Sequence, residues 1–239
     1  MVQMDDLFHT VTQGAVIRRA VSSEDLAAAY RLVHDVFVER GYILPHPSGM
    51  RVRKGVEGSP VTATFIAMID GRVVGAQSIV EDSGKIGLPA DGAFRGEVDS
   101  IRGDGKKVCE AVNQAVAPDY RKTGVALELM RCMFAHALMI DCDELITAVS
   151  PRHTKFFGRL GFEKISPVRS YSTEIEDFVV VMRVNVHDLI ERAEKAQEGQ
   201  DDGAFFVKSR CLENNPYREK VRQWELEAVK TFGGGQWER

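Results

Sequence analysis

The chain has no run approaching the roughly 18 consecutive apolar residues that a membrane-spanning helix needs, so no integral membrane segment is expected in its 239 residues. It has no basic surplus: 31 Lys and Arg stand against 35 Asp and Glu, a net charge of −4. That balance argues against nucleic-acid binding, which draws on clustered positive charge. Cysteine is scarce. Cys109, Cys132, Cys142 and Cys211 form no C-x-x-C pair, so no zinc or other metal site is expected, and reduced thiols in a cytoplasmic protein are. The opening residues carry Asp5 and Asp6 and lack an apolar core, which argues against a secretory signal. There is no internal repeat and no heptad array.

What remains is ordinary globular composition, 44% hydrophobic and 28% charged, enough for one large domain or a domain with an appendage. Ser22 and Ser23 stand as N-caps before a helix in which Leu26, Tyr30, Val33 and Phe37 recur at helical spacing up to Gly41. A loop from Gly41 to Gly58 follows. Two β-rich runs flank Asp70-Gly71, the strongest short hairpin signal. Residues 87–94 are turn-rich, and 97–105 predict a short helix ending at Gly103 or Gly105. A central strand over 107–118 stops at Pro118. Residues 125–140 predict a long helix with Leu127, Met130, Phe134 and Leu138 in one apolar line. Residues 144–150 read as a strand buried on both faces. A short helix follows from about Pro151 to Leu160, capped by Ser150 and ended by Gly161. Residues 163–186 supply two more strands.

Beyond them a helix fades into a polar linker. Asn215 and Pro216 then start another helix with an apolar stripe of Tyr217, Val221, Trp224 and Ala228. The order predicts an α/β fold with a mixed sheet, divided into a domain over 1–187 and a C-terminal helical extension over 188–239.

A strand that runs through a glycine turn into a helix is a phosphate-binding arrangement. The first amides of the helix have no intrahelical acceptor, and the helix dipole favours an anion. Here that turn is Arg121, Lys122, Thr123, Gly124, Val125 and Ala126, and Gly124 lets the backbone approach without a Cβ. The pattern R-x-x-G-x-A resembles the acyl-donor signature Q/R-x-x-G-x-G/A of the GNAT acyltransferase superfamily. The hairpin MIDGRVVGAQ and the downstream ITAVSPRHTKFFGRLGFEKI resemble that superfamily's neighbouring segments in the same order. The resemblance implies a mixed, mostly antiparallel sheet flanked by helices and covers roughly residues 20–187.

Within the superfamily, YRLVHDVFVERGYI and the block from Gly87 to Arg121 resemble the branch that uses long-chain acyl carriers. That branch holds homoserine lactone synthases and N-acyl amino acid synthases. The lactone-synthase pattern fails at several points. Leu32 is followed by Val33, the acidic pair after Gly41 and Tyr42 is absent, and E-x-S-R reads Glu110, Ala111, Val112, Asn113. The better resemblance is therefore to long-chain N-acyl amino acid synthases of the N-acyltyrosine synthase type. Phe157 stands where many acetyltransferases carry a tyrosine that protonates the leaving thiolate.

The implied reaction is aminolysis of a thioester. A fatty acyl group passes from acyl carrier protein, or from acyl-CoA, to the amino group of an amino acid. The acyl-phosphopantetheine is a co-substrate, and no permanently bound cofactor is implied. Alternatives are an acetyl-CoA-dependent N-acetyltransferase of a small amine and a non-catalytic acyl-thioester sensor. An α-amino group with a pKa near 8 needs a base before it attacks. Glu110, on a strand with Val108, Val112 and Val116, is the candidate. His153 is a second catalytic candidate, for acid or substrate binding, and reads equally as a solvated histidine. His9, His34, His46, His136 and His187 read as structural or exposed.

The backbone at Val116 and Ala117 is expected to pair with the pantetheine amides, and the Val116 amide to serve the oxyanion. Met130, Met133, Met139 and Leu145 to Val149 are candidates to line an acyl groove or simply to fill the core. Arg152, Lys155, Arg159, Lys164 and Arg169 offer a basic dock for an acidic carrier protein, or an ordinary solvated face. The C-terminal helix is open to two roles, covering the groove or forming a homodimer.

Overall fold

A computed structural model describes residues 14–171, 178–188 and 223. The stripe from Tyr217 to Ala228, His9 and Cys211 lie outside the described residues.

Eight strands form the centre: β1 (Val16–Arg19), β2 (Thr62–Ile69), β3 (Arg72–Glu81), β4 (Val108–Val116), β5 (Glu144–Val149), β6 (Glu163–Lys164), β7 (Arg169–Ser170) and β8 (Phe178–Asn185). Among the described residues four α-helices flank them: α1 (Ser23–Glu39), α2 (Asp91–Gly103), α3 (Val125–Met139) and α4 (Thr154–Arg159). The sheet order is β1-β2-β3-β4-β5-β8-β6, with β7 also on β8. Among the described residues only β4 and β5 run parallel; the other pairs are antiparallel.

The local reasons match the sequence in most places. Ser22 caps α1, its hydroxyl accepting from the Asp25 amide at 3.1 Å. The β2–β3 hairpin turns at Asp70 (φ 49°) and Gly71 (φ 74°), the left-handed pair that matches strand twist. Ala117 breaks the strand before Pro118, as expected. Three details differ. Helix α2 begins at Asp91, six residues before the predicted start, and kinks at Phe94. Asp91 stabilises that start by accepting from the Leu88 amide at 2.8 Å. The expected helix from Pro151 splits into a 3-10 turn (Pro151–His153) and α4, and Ser150 makes no side-chain cap. Residues 163–186 carry three strands rather than two, because β6 and β7 are two-residue contacts with β8.

Helix α3 packs on one face of the sheet, over Cys109, Ala111, Leu145 and Phe65. Helices α1 and α2 pack on the other, over Ile66, Ala76 and Ala115 and over Val80, Val108 and Ile146. Gly75 allows α3 to sit close: a Cβ there would lie 2.6 Å from Val125 Cγ1.

The sheet opens at one place. The parallel β4–β5 ladder ends at Ala111 and Thr147, although both strands continue. Beyond that point β4 bulges. Its register with β3 shifts between Ala76 and Ser78, and Asn113 takes φ 57°. A bulge adds a residue to one strand and bends it, so β4 swings away from β5.

Candidate active site

The divergence of β4 and β5 leaves a cleft. Its walls include Ala111 to Gln114 on β4, Thr147 to Val149 on β5, and Met130 and Met133 on α3. Phe37, Tyr42, His153, Phe157 and Phe162 also line it. The lining is mostly apolar. Met130 and Met133 therefore face the cleft as well as the core, whereas Met139 and Leu145 pack in the core. Ala148 and Val149 line the cleft too.

At the mouth, Tyr42 stacks edge-on against Phe37, with centroids 5.6 Å apart. Arg152 lies over the Tyr42 ring and hydrogen-bonds its hydroxyl. His153 is exposed on the cleft wall at the N-cap of α4.

The glycine turn stands at the end of β4. Lys122 (φ 65°) and Gly124 (φ 91°) both take left-handed backbone, which folds the chain back into α3. The first intrahelical bonds of α3 are made by Leu127 and Glu128 to the Gly124 carbonyl. The Val125 and Ala126 amides precede them and have no intrahelical acceptor. Thr123 donates its hydroxyl to the Tyr120 carbonyl and so tightens the turn. Arg121 is engaged elsewhere. Its guanidinium pairs with Glu39 at the end of α1, and its Nε donates to the Val116 carbonyl at 3.2 Å.

Val116 and Ala117 face opposite ways. The Ala117 amide donates to the Val74 carbonyl at 2.9 Å, and its carbonyl accepts from Tyr120 at 2.9 Å. Both Ala117 groups are engaged within the fold and the Val116 carbonyl already accepts from Arg121, which leaves the Val116 amide as the outward group at this strand end. By strand alternation the Val116 amide and carbonyl point away from β3, toward the open β5 side.

Glu110 does not line the cleft. It lies on the α2 face of β4 with no exposed surface. Its Oε2 accepts from the Ala90 amide at 2.7 Å and its Oε1 from the Tyr171 hydroxyl at 2.6 Å. Burial pushes its carboxyl up to about 7; the Tyr171 and Ala90 bonds and the Arg53 charge hold it from rising further. Burial and the neighbouring Glu110 charge raise the Tyr171 hydroxyl well above the ordinary tyrosine value.

Beside Glu110 sits a buried pair. Glu57 accepts from Arg53 Nε at 2.9 Å and Nη2 at 2.6 Å, and from Asn113 Nδ2 at 2.8 Å. Burial alone would raise Glu57, but Arg53 and Asn113 outweigh it and hold the carboxyl below its usual range. Asn113 belongs both to this cluster and to the cleft wall. It connects the two sides of the sheet at the bulge.

Tyr171, Arg53, Glu57 and Asn113 have no place among the expected site residues. Tyr171 is 61 residues from Glu110, and Asn113 stands out only as a departure from E-x-S-R. The basic residues do not form one patch: Arg169 pairs with Glu97 and lies over Phe94 on the α2 side, whereas Lys155, Arg159 and Lys164 are exposed. Of the remaining histidines, His34 and His136 are buried, and His46 and His187 are exposed. Cys109, Cys132 and Cys142 are buried. No helix among the described residues is long and apolar enough to cross a membrane.

Comparisons with known proteins agree with this architecture. No curated protein matches the chain significantly. The structure of FeeM, an N-acyl amino acid synthase from uncultured soil microbes, is similar at 25% identity with a TM-score of 0.65, over 73% of this chain and 92% of that one. BjaI, a CoA-dependent acyl-homoserine lactone synthase solved with SAM and isopentyl-CoA, shares the fold at 18% identity with a TM-score of 0.54, over 89% of this chain and all of that one. The acyl-homoserine lactone synthase LasI shares it at 19% identity with a TM-score of 0.53, over 72% and 89%. The expected GNAT fold and the resemblance to N-acyl amino acid synthases are both borne out. The family model of the N-acyl amino acid synthase FeeM matches residues 28–185, more than half of the chain, so the chain belongs to the FeeM family of N-acyl amino acid synthases and is an N-acyltransferase.

Proposed function

We propose that this enzyme joins a fatty acyl group, carried on a phosphopantetheine thioester, to the amino group of an amino acid. One observation carries the reading: β4 and β5 part past Ala111 and Thr147 and leave a mostly apolar cleft that has Gln114, two residues before Val116, on its β4 wall and Met130 and Met133 on its α3 wall. A dry groove suits a long acyl chain. In this reading Lys122 to Ala126 hold the phosphate by backbone amides at the start of α3, and Arg121 braces the turn against α1. The arm pairs with the outward edge of Val116. The Val116 amide donates to the carbonyl oxygen as it becomes an oxyanion.

Glu110 accepts the proton released by the amine. Because it sits behind the strand, transfer runs through a relay in which Tyr171 or ordered water takes part. A carboxyl poised at about 7 is matched to that task near neutral pH. His153, on the cleft wall, is placed to meet the acceptor or the leaving thiolate. The donor is acyl carrier protein, docking on the exposed basic face of Lys155, Arg159 and Lys164. BjaI takes a coenzyme A donor, and the same turn accommodates that phosphate. Residues 1–187 hold the catalytic unit and 188–239 stand apart from it as an extension that lies almost wholly outside the described residues; the family match ending at residue 185 supports that division.

Mass spectrometry of lipid extracts from a bacterial host expressing this chain, beside a Glu110→Gln control, tests the reading. New fatty acyl amino acids in the active strain alone are expected. Well-folded protein with no new lipid overturns it in favour of acetyl-group chemistry or acyl sensing.

A further inference from the structure

The cleft contains one polar group that the fold leaves unanswered. Gln77 is 4% exposed and lines the cleft. Its Oε1 is buried and has no hydrogen-bond partner among the described residues. The position is built by the bulge. Gln77 pairs with Phe65 on β2, but the β3–β4 register shifts between Ala76 and Ser78, so Gln77 stands against the two bulged residues Asn113 and Gln114 with no regular ladder partner on β4. It therefore faces the opened end of the sheet at Asn113 and Gln114.

Around it the walls are Met130, Met133, Phe157 and Phe162. A plain hydrocarbon chain filling this space strips away any water and strands the Gln77 amide in a dry site. A buried polar group left unpaired costs far more than a made hydrogen bond returns, so a site of this kind rejects a ligand that lacks the matching group.

We infer that Gln77 is a specificity determinant for the acyl donor, selecting chains with a hydroxyl near the thioester. This rests on the cleft being the acyl-donor site. Gln77 is within about 10 Å of Val116 along the strands, at about 3.4 Å per residue. An acyl chain in the cleft passes Gln77 beside Gln114, the β4 lining residue nearest to Val116 in the strand. The hydroxyl donates to Oε1, and the rest of the chain stays in apolar surroundings.

The test is a binding measurement, independent of turnover. Calorimetric titration compares 3-hydroxydecanoyl and decanoyl donors, each loaded on coenzyme A and on acyl carrier protein. The wild-type protein is expected to bind the hydroxylated donor at least tenfold more tightly. In Gln77→Leu and in Gln77→Met the preference falls below about twofold, chiefly because the plain donor binds better. Equal binding of both donors by the wild type overturns the inference and leaves the acyl-donor site standing. A variant that weakens both donors by the same factor also overturns it, since Gln77 then only shapes the cleft. Binding of neither donor on either carrier overturns the inference together with the donor-site reading.

Discussion

The Tyr171 hydroxyl donates to Glu110 Oε1 at 2.6 Å, joining the end of β7 to the middle of β4 inside a pocket sealed from solvent. The bond favours the ionised carboxylate and holds down a pKa that burial drives upward. Tyr171→Phe removes it, so the Glu110 pKa rises above its value of about 7. If Glu110 takes the amine proton, the acid limb of the kcat/KM profile moves up by about one pH unit, since a hydrogen bond to a charged group contributes about 1.5–3 kcal/mol. Activity near pH 7 falls and recovers in alkali. The same donor and amine are used for both proteins, so the amine's own titration cancels. An unmoved limb separates Tyr171 from the proton path.

Glu110→Gln is expected to lower turnover by about 10²-fold with donor binding intact. It also tests the buried titration without any assay of chemistry. The folded pKa of about 7 lies above the unfolded value near 4.5, so the folded state holds its proton more tightly. Stability from this group is complete below about pH 4.5 and is lost as pH rises toward 7. The difference of about 2.5 pH units corresponds to roughly 3 kcal/mol. Denaturant unfolding from pH 4.5 to 8 reads this directly: the stability of the native protein relative to the Glu110→Gln variant drops by that amount. A constant difference would place Glu110 in a far wetter environment than the fold gives it.

Features set by local chemistry were legible in the sequence. Asp70-Gly71 marked the hairpin, Pro118 the end of β4 and Gly124 the start of α3, because each is a residue whose backbone preference decides the structure alone. Glu110 was legible as an acid among valines. Its partners were not. Tyr171 and the Arg53–Glu57 pair reach the site through sheet pairing and loop packing, which leave no periodic trace. The bulge at Asn113 was equally hidden, since asparagine, though enriched at positive φ, still takes it at only a minority of its positions. Without the bulge, neither the cleft nor the isolation of Gln77 can be foreseen.

Glu57→Ala probes that bulge. Its carboxylate accepts from Arg53 and from Asn113 and has no exposed side-chain surface. Removing it strands a largely buried guanidinium, at a cost of about 3–5 kcal/mol. Asn113→Ala breaks the link to the strand and puts alanine at φ 57°, together costing roughly 2 kcal/mol. Thermal unfolding is expected to rank them in that order, with Glu57→Ala the less stable. Comparable losses would mean that Arg53 finds water when Glu57 is gone.

The last prediction concerns how tightly α3 sits on the sheet. A Cβ on Gly75 would lie 2.6 Å from Val125 Cγ1, 3.0 Å from Leu129 Cδ1 and 3.3 Å from Ala67 Cβ, so the α3 side chains must give way. Val125 is β-branched and stiff at χ1 on a packed helix, so Gly75→Ala is expected to push the first turn of α3 outward, and the glycine turn with it. Overpacking of this kind costs about 1–3 kcal/mol. If the turn holds the donor phosphate, the donor KM rises about tenfold while kcat at saturation changes little. Val125→Ala removes the γ-carbons that the new methyl meets, and the double variant should recover both stability and donor KM beyond the sum of the single effects. Recovery of stability without recovery of KM would show that the glycine turn is not where the donor is held.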